Sequence, residues 1–285
     1  MRVRTIQPYW YLARWHRPVG SLLLMLPCWW GIAFFGWQDF SLRIVILTAL
    51  GAFLLRGAGC TINDWFDQDF DRHNQRTRNR PLAAGLLSPN QAFGFLTIQL
   101  IVGAGVLWLM PYRSWPFAFA SSGLMVIYPL MKRMTNYPQV ILGLTFNMGV
   151  WIGASAVNPS YLDHLMALSL LYLIGVCWTL GYDTIYALQD KEDDIRLGIG
   201  STTIAFGRYV KLMVAIFYGI ALLLSMVVGV LSGRSWFYYV MIVTSFSLIE
   251  MRLWQLDSTD KEACDDFFKI NIWLGFFIFV SLLVG

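Results

Sequence analysis

The chain is a succession of apolar runs of about 20 residues, the length one helix needs to cross a bilayer core of roughly 30 Å, and short stretches between them hold the charge. Nine such runs can be drawn: Val19–Trp37, Ser41–Ile62, Gln91–Met110, Ser114–Met131, Pro138–Val157, Leu165–Tyr182, Tyr209–Leu231, Trp236–Met251 and Phe267–Val284. Backbone amides have no water to bond in lipid, so runs of this kind close their hydrogen bonds within themselves, as helices. The pattern predicts an all-α membrane protein, one polytopic domain over residues 1–285 in which nine transmembrane helices form a bundle. Composition excludes a soluble enzyme. Only 13% of the residues are charged, against about 25% in soluble proteins, and the mean hydropathy of +0.56 is more than one buried core could hide.

Charge placement predicts the orientation. Seventeen of the 21 Lys and Arg fall on the side of the N-terminus, and the other four are Arg43, Arg113, Arg234 and the mid-run Arg56. By the positive-inside rule the N-terminus is expected in the cytoplasm and the C-terminus outside, as in a multi-pass protein of an inner (cytoplasmic) membrane. The first run is the first of many and no small-residue cleavage site follows it, so it is read as a span and not as a removed signal. The basic residues form no stripe with interleaved polar residues, so nucleic acid is not an expected partner. The four cysteines are widely spaced and the three histidines scattered, which points away from a disulfide framework and from a His-ligated metal.

Two long loops, after the second and sixth runs, hold most of the acids. In the first, Gly59 to Gly85, Asp64, Asp67 and Asp71 are spaced to share one helix face with Asn63 beside them, while Asp69 points elsewhere as a solvated surface carboxylate. In the second, Gly181 to Thr202, Asp183, Asp190 and Asp194 return to one helical angle with Tyr186 nearby. Like charges this close repel unless cations lie among them. An all-oxygen set suits Mg2+, which keeps several waters and bridges carboxylates to phosphates. Acids that merely solvate a loop are the plain alternative, but the same phase in two loops argues against it. Arg72, Arg78 and Arg80 follow the first motif, Lys191 lies in the second, and Lys132 and Arg133 close the fourth run after Tyr128, all placed to bind an anion such as a diphosphate. Arg76, Arg196 and Arg208 are read as topology markers. Arg56 is expected to face the bundle interior, either as partner of a buried polar group or in a direct role.

With these residues in view, the sequence resembles the intramembrane aromatic prenyltransferases, nearest the 4-hydroxybenzoate branch of bacterial ubiquinone synthesis. The likeness runs through HRPVGSLLLMLPCWW (16–30), GCTINDWFDQDFD (59–71), RTRNRPLAAG (76–85), YPLMKR (128–133), PQVILG (138–143) and YDTIYALQDKEDD (182–194). It implies a central cavity open to lipid and capped by cytoplasmic loops. It also implies that Asn63, Asp64, Asp67, Asp71, Asp183, Asp190 and Asp194 hold Mg2+ on a polyprenyl diphosphate. Arg72, Lys132, Arg133 and Lys191 would contact diphosphate or acceptor, and Tyr128 and Tyr186 would line the reacting centre. The acceptor would be 4-hydroxybenzoate, its carboxylate met by Arg133 or, second, by Arg17. One departure is Gly200, in GIGST, where the family usually has Lys. The sequence names no protein partner. A transporter would carry its charges at mid-bilayer, and a headgroup transferase would take a nucleotide-linked donor; the acids at the run ends favour the prenyl reading.

Overall fold

The computed structural model describes residues 6–285, so Arg2 and Arg4, assigned to the N-terminal cations, lie outside the described residues. Every regular element among the described residues is helical: α1 (Gln7–Leu12), α2 (Val19–Ala33), α3 (Leu42–His73), α4 (Pro89–Trp108), α5 (Trp115–Met131), α6 (Pro138–Val157), α7 (Leu165–Ala187), α8 (Lys191–Leu197), α9 (Thr202–Phe206), α10 (Val210–Leu231), α11 (Trp236–Gln255) and α12 (Lys261–Val284). Nine of these, among the described residues, coincide with the nine apolar runs. Six helical stretches are long and apolar enough to cross a membrane: α3, α4, α6, α12, α7 together with α8, and α10 together with α9. The expectation of nine spans is therefore narrowed. With 15 and 17 residues, α2 and α5 are short, and α11 is diluted by Thr244, Ser245, Ser247, Glu250 and Arg252.

The expected boundaries differ most where the site forms. The second run was expected to stop at Ile62, yet α3 continues for three further turns to His73 and keeps the first acidic motif helical. The sixth was expected to stop at Tyr182, but α7 runs to Ala187, a 3-10 turn at Leu188–Asp190 follows, and α8 starts at Lys191. The single helical phase read for Asp183, Asp190 and Asp194 is thus interrupted, because a tighter 3-10 turn separates the first from the other two.

Two central helices, α2 and α6, are surrounded by the rest, with α12 and α3 flanking α2 and with α5 and α7 flanking α6. Small residues bring the central pair together. A Cβ at Gly31 would meet the Val150 carbonyl, and one at Gly153 the Cys28 carbonyl, so neither position admits a side chain at this spacing. Polar groups inside the bundle are bonded across helices: Asn271 Oδ1 of α12 accepts from Trp178 Nε1 at 3.0 Å and from Tyr218 OH at 2.9 Å. Such bonds in an apolar interior are each worth roughly 0.6–2 kcal/mol. Large apolar side chains face outward along α4 and α10, among them Phe93, Ile101, Trp108, Leu223 and Val230. That is the surface expected of helices solvated by lipid. The four cysteines are free.

Candidate active site

One end of the bundle opens into a cavity of about 750 Å³. Its polar end is built from α3 (Asn63, Asp64, Asp71), α7 (Asp183, Tyr186), the turn and helix after it (Asp190, Asp194), α5 (Tyr128, Lys132), the stretch after α1 (Arg14, Arg17) and the stretch after α3 (Arg76, Arg80). Further along the same helices the wall becomes apolar, with Leu24, Leu55, Met125, Leu142, Phe146 and Tyr182 around Arg56. The cavity is therefore amphipathic, with charge at the helix ends and hydrocarbon and ring surface toward the bundle interior.

The acids of α3 are held by cations from distant parts of the chain. Arg14 donates to Asp64 Oδ1 at 2.7 Å, and Arg80 reaches Asp64 Oδ1 at 3.1 Å and both oxygens of Asp71 at 3.0 and 2.9 Å. Arg14 has φ = 58°, the one positive φ outside glycine among the described residues, a conformation that costs of order 1 kcal/mol and persists where neighbours hold it. Its guanidinium also donates to the carbonyls of Tyr11 and Leu12 at 3.1 and 3.2 Å. Burial works against the Arg14 charge, but Asp64 outweighs it and raises its pKa above the ordinary arginine value.

Arg76 ties the two acidic motifs together. Its Nε donates to Asp190 Oδ1 at 2.6 Å, its Nη2 pairs with Asp190 Oδ2, and its Nη1 donates to Tyr186 OH at 3.0 Å. Burial again disfavours the charge, while Tyr186 and Asp190 favour it, and the pKa is raised. The expectation of a topology marker is corrected here: a loop contact across 114 residues leaves no trace in local sequence. Arg14 was likewise not singled out, since nothing in its sequence neighbourhood separates it from the other N-terminal cations.

Of the other expected site residues, Asn63, Asp64, Asp71, Arg17, Arg80, Tyr128, Lys132, Asp183, Tyr186, Asp190 and Asp194 line the cavity, and Asp67, Arg72, Arg78, Arg133 and Lys191 do not. Asp67 is buried on the flank of α3 that meets α5, pairing with Lys132 and lying 3.5 Å from Arg133. Arg133 donates to the Phe66 carbonyl at 2.9 Å and stacks on the Phe70 ring, which takes it away from an acceptor in the cavity. Arg72 is exposed and pairs at 3.1 Å with Asp69, whose side chain is 83% exposed. Arg78 is exposed as well. Lys191 lines a different cavity, since it is the residue after Asp190 and so points about 100° away from it around the helix.

Gly200 has a structural role of its own. Its N–H donates to the Lys132 carbonyl at 2.8 Å, and a Cβ there would run into the Thr135 carbonyl. The stretch after α8 closes on the α5–α6 turn through backbone, where a larger residue would hold it off.

Whether these residues suit a divalent ion can be judged from their donors. Among the described residues no three His, Cys, Asp or Glu side chains converge closely enough to hold a metal. The repulsion that suggested a metal is relieved by Arg14, Arg76, Arg80 and Lys132. Yet Asp64 Oδ2 is buried without a hydrogen-bond partner, and Asp183 and Asp194 line the cavity with no ion pair among the described residues. Uncommitted carboxylate oxygens of this kind fit Mg2+, a hard ion that takes oxygen ligands and retains water. The expectation of Asp67 as a metal ligand is corrected, because it lies off the cavity between Lys132 and Arg133.

Residues 24–279 match the UbiA prenyltransferase family. The chain belongs to that family. It is 42% identical over 290 residues to a mitochondrial 4-hydroxybenzoate polyprenyltransferase of Rattus norvegicus, covering 99% of this chain and 75% of that one. It is 40% identical over 282 residues to the mitochondrial enzyme of the same name from Arabidopsis thaliana, covering 98% and 69%. The fold is that of a UbiA homolog from Archaeoglobus fulgidus bound to GPP and Mg2+, with a TM-score of 0.67, 17% identity and coverage of 96% and 99%. These relatives correct one expectation. A bacterial inner membrane with cytoplasmic and outer faces was predicted, whereas the matched curated relatives are mitochondrial proteins. Charge bias ranks the two sides of a membrane but carries no information about which membrane it is.

Proposed function

We propose that this chain transfers a polyprenyl group from polyprenyl diphosphate to the ring carbon ortho to the hydroxyl of 4-hydroxybenzoate, releasing diphosphate and a ring proton, in ubiquinone synthesis. What carries the reading is the amphipathic cavity in a chain about 40% identical, over nearly its whole length, to enzymes of that name. The relatives point to a mitochondrial membrane as its location. We read the nine long helices as nine spans of one polytopic domain, with the stretches around 74–88 and 188–206 capping the acidic end.

Asn63, Asp64 and Asp71 on one wall and Asp183, Asp190 and Asp194 on the other would hold Mg2+, as the ion in the Archaeoglobus homolog suggests. Bound there, it would neutralise the diphosphate and make it a better leaving group. The chain's own residues supply the rest. Arg14, Arg76, Arg80 and Lys132, already gathered at the polar end, orient the diphosphate and offset the charge that grows as the allylic C–O bond breaks. The prenyl tail lies along Leu24, Leu55, Met125 and Leu142, out of water. Tyr128, Tyr182 and Phe146 exclude water from the developing carbocation and present ring faces to it. The ring carbon takes up the cation, a C–C bond forms, and loss of the ring proton restores aromaticity. Arg56 lines the cavity beneath the acids, 5.7 Å from the Phe146 ring centroid, with no ion pair among the described residues. We place it opposite the acceptor carboxylate, since a charge in the apolar part of a bundle needs an anion.

Membranes carrying the chain, supplied with 4-hydroxybenzoate, a long prenyl diphosphate and Mg2+, are expected to yield a 3-polyprenyl-4-hydroxybenzoate that a chelator abolishes. Absence of that product, with diphosphate still released, would move the acceptor elsewhere. Absence of both would refute the reading.

A further inference from the structure

A second cavity, of about 580 Å³, lies between the turn after α7, the start of α10, the end of α11 and the start of α12. It shares only its helix ends with the prenyl site. Four cations line it, Lys191, Arg208, Lys211 and Lys261, against one acid, Glu192. None of the four has an ion pair among the described residues, in contrast to Arg14, Arg76, Arg80 and Lys132 next door. Two acids of the loop before α12 are used locally: Asp257 Oδ1 accepts from Thr259 N and Oγ1 at 2.9 and 2.7 Å, and Asp260 Oδ1 accepts from Glu262 N at 2.8 Å. Lys211 donates to the Leu256 carbonyl, and Arg208 to Tyr209 OH at 2.6 Å, which leaves Lys191 and Lys261 with no side-chain bond at all among the described residues.

A separate observation points to a ligand. Gln189 lines the same cavity, is 8% exposed, and its Nε2 is buried with no hydrogen-bond partner. A buried donor left unmet costs about 1–3 kcal/mol. The residue stands among the cations, so an acceptor that reached its amide from the cavity would lie in their field. The rim carries Trp254 and Tyr209, 57% and 51% exposed, residues typical of the headgroup level of a membrane.

We infer that this cavity binds a phosphate-bearing anion at the headgroup level, the phosphodiester of an anionic phospholipid or free phosphate, with Lys191, Arg208, Lys261 and the Gln189 amide as donors. The volume suits a headgroup, and clustered Lys and Arg at this depth are the usual recognition chemistry for one. Because the Leu188–Asp190 turn joins Lys191 and Gln189 directly to Asp190, occupancy here would steady the turn that carries an acid of the prenyl site.

The test uses the purified full chain, delipidated and then offered an equimolar mixture of phosphatidylcholine and phosphatidylglycerol. Native mass spectrometry counts what each chain retains. Phosphatidylglycerol is expected to be preferred, and the double variant Arg208→Gln/Lys261→Gln, both exposed and outside the prenyl cavity, to weaken that preference by on the order of tenfold. Arg252→Gln, an exposed cation at the same end but outside both cavities, should leave it unchanged. In a second arm, 31P line broadening of inorganic phosphate is followed in phosphatidylcholine alone. Broadening lost in the double variant, with no lipid preference, assigns the site to free phosphate. A preference that Arg252→Gln weakens equally, or no variant-sensitive binding in either arm, overturns the inference. The readout is binding, so it stands apart from whether the chain makes a prenylated product.

Discussion

The pair that joins the two acidic motifs gives the sharpest quantitative test. Arg76 and Asp190 form two parallel bonds, one of 2.6 Å, with a third from Arg76 to Tyr186 OH at 3.0 Å. Hydrogen bonds to charged groups are worth about 1.5–3 kcal/mol net. The Arg76 side chain is still 31% exposed and that of Asp190 16%, so solvent screening pulls the pair toward the lower part of that range, about 2 kcal/mol. In Arg76→Gln and Asp190→Asn each single change loses the pair, and the double variant has nothing further to lose. At about 2.1 cal/mol/K per residue, a chain of 285 residues shifts by about 1.7 °C per kcal/mol, so each single variant should lower the midpoint of thermal unfolding by about 3 °C, and the double variant by little beyond the worse single. That coupling is measured by thermal shift in detergent with chelator present. Repeated with Mg2+ and a non-reacting diphosphate, the coupling should shrink, because Asp190 and Arg76 would then have a cation and an anion of their own. Fully additive losses without ligand would refute the pairing as a stabilising contact. Coupling unchanged by ligand would refute the idea that these two residues separate to serve the substrate.

Four further outcomes are expected. Arg56→Met keeps most of the side chain's length and removes its charge; the KM for 4-hydroxybenzoate should rise by about tenfold or more, as loss of a charge-assisted bond implies, with the KM for prenyl diphosphate unchanged, and steady-state kinetics against both substrates would expose the reverse pattern. Asp69→Ala should keep turnover within about twofold, since its carboxylate is exposed and bonded only to Arg72, whereas Asp64→Asn should abolish it; equal damage from the two would contradict the helix face read for α3. Gly200→Lys should lower both the thermal midpoint and turnover, by about 1–3 kcal/mol in stability, because its Cβ meets the Thr135 carbonyl; a variant as stable as the parent would mean that the loop has room the structure does not give it. Asp67→Ala should lose activity together with Lys132→Ala and not additively with it, since the two form one part-buried pair.

The parts of this molecule that could be read from sequence are those fixed by local periodicity. The apolar runs marked every long helix because lipid allows a spanning segment few ways to satisfy its backbone. Asp64 and Asp71 could be placed together because α3 stays helical through the motif, and the same arithmetic separated Asp69. It fared differently in the second motif. Asp183, Asp190 and Asp194 do meet at one cavity, but across a 3-10 turn and not through one continuous face, and Lys191, the residue after Asp190, points out of it. Asp67 marks a finer limit: it lies 60° or so from Asp64 on the helix, close enough to be grouped with it by phase and far enough to face Lys132 on α5 instead of the cavity.

What escaped the sequence is of another kind. Arg14 reaches Asp64 across 50 residues and Arg76 reaches Asp190 across 114, and a cation's partner over such a distance is set by how helices pack, which no window of residues records. The choice between Arg133 and Arg56 for the acceptor illustrates the consequence. Arg133 stands in a motif and Arg56 in an apolar run, so motif reasoning favours the first. Packing reverses the order, because Arg133 is already taken by the Phe66 carbonyl and the Phe70 ring while Arg56 faces the cavity with no ion pair among the described residues, the Asp183 carboxylate lying beyond pairing distance. A charge kept in the apolar part of a helix bundle without a protein partner is stable only if something else completes it, and in this cavity the group that arrives with a negative charge and a ring to hold in place is the acceptor.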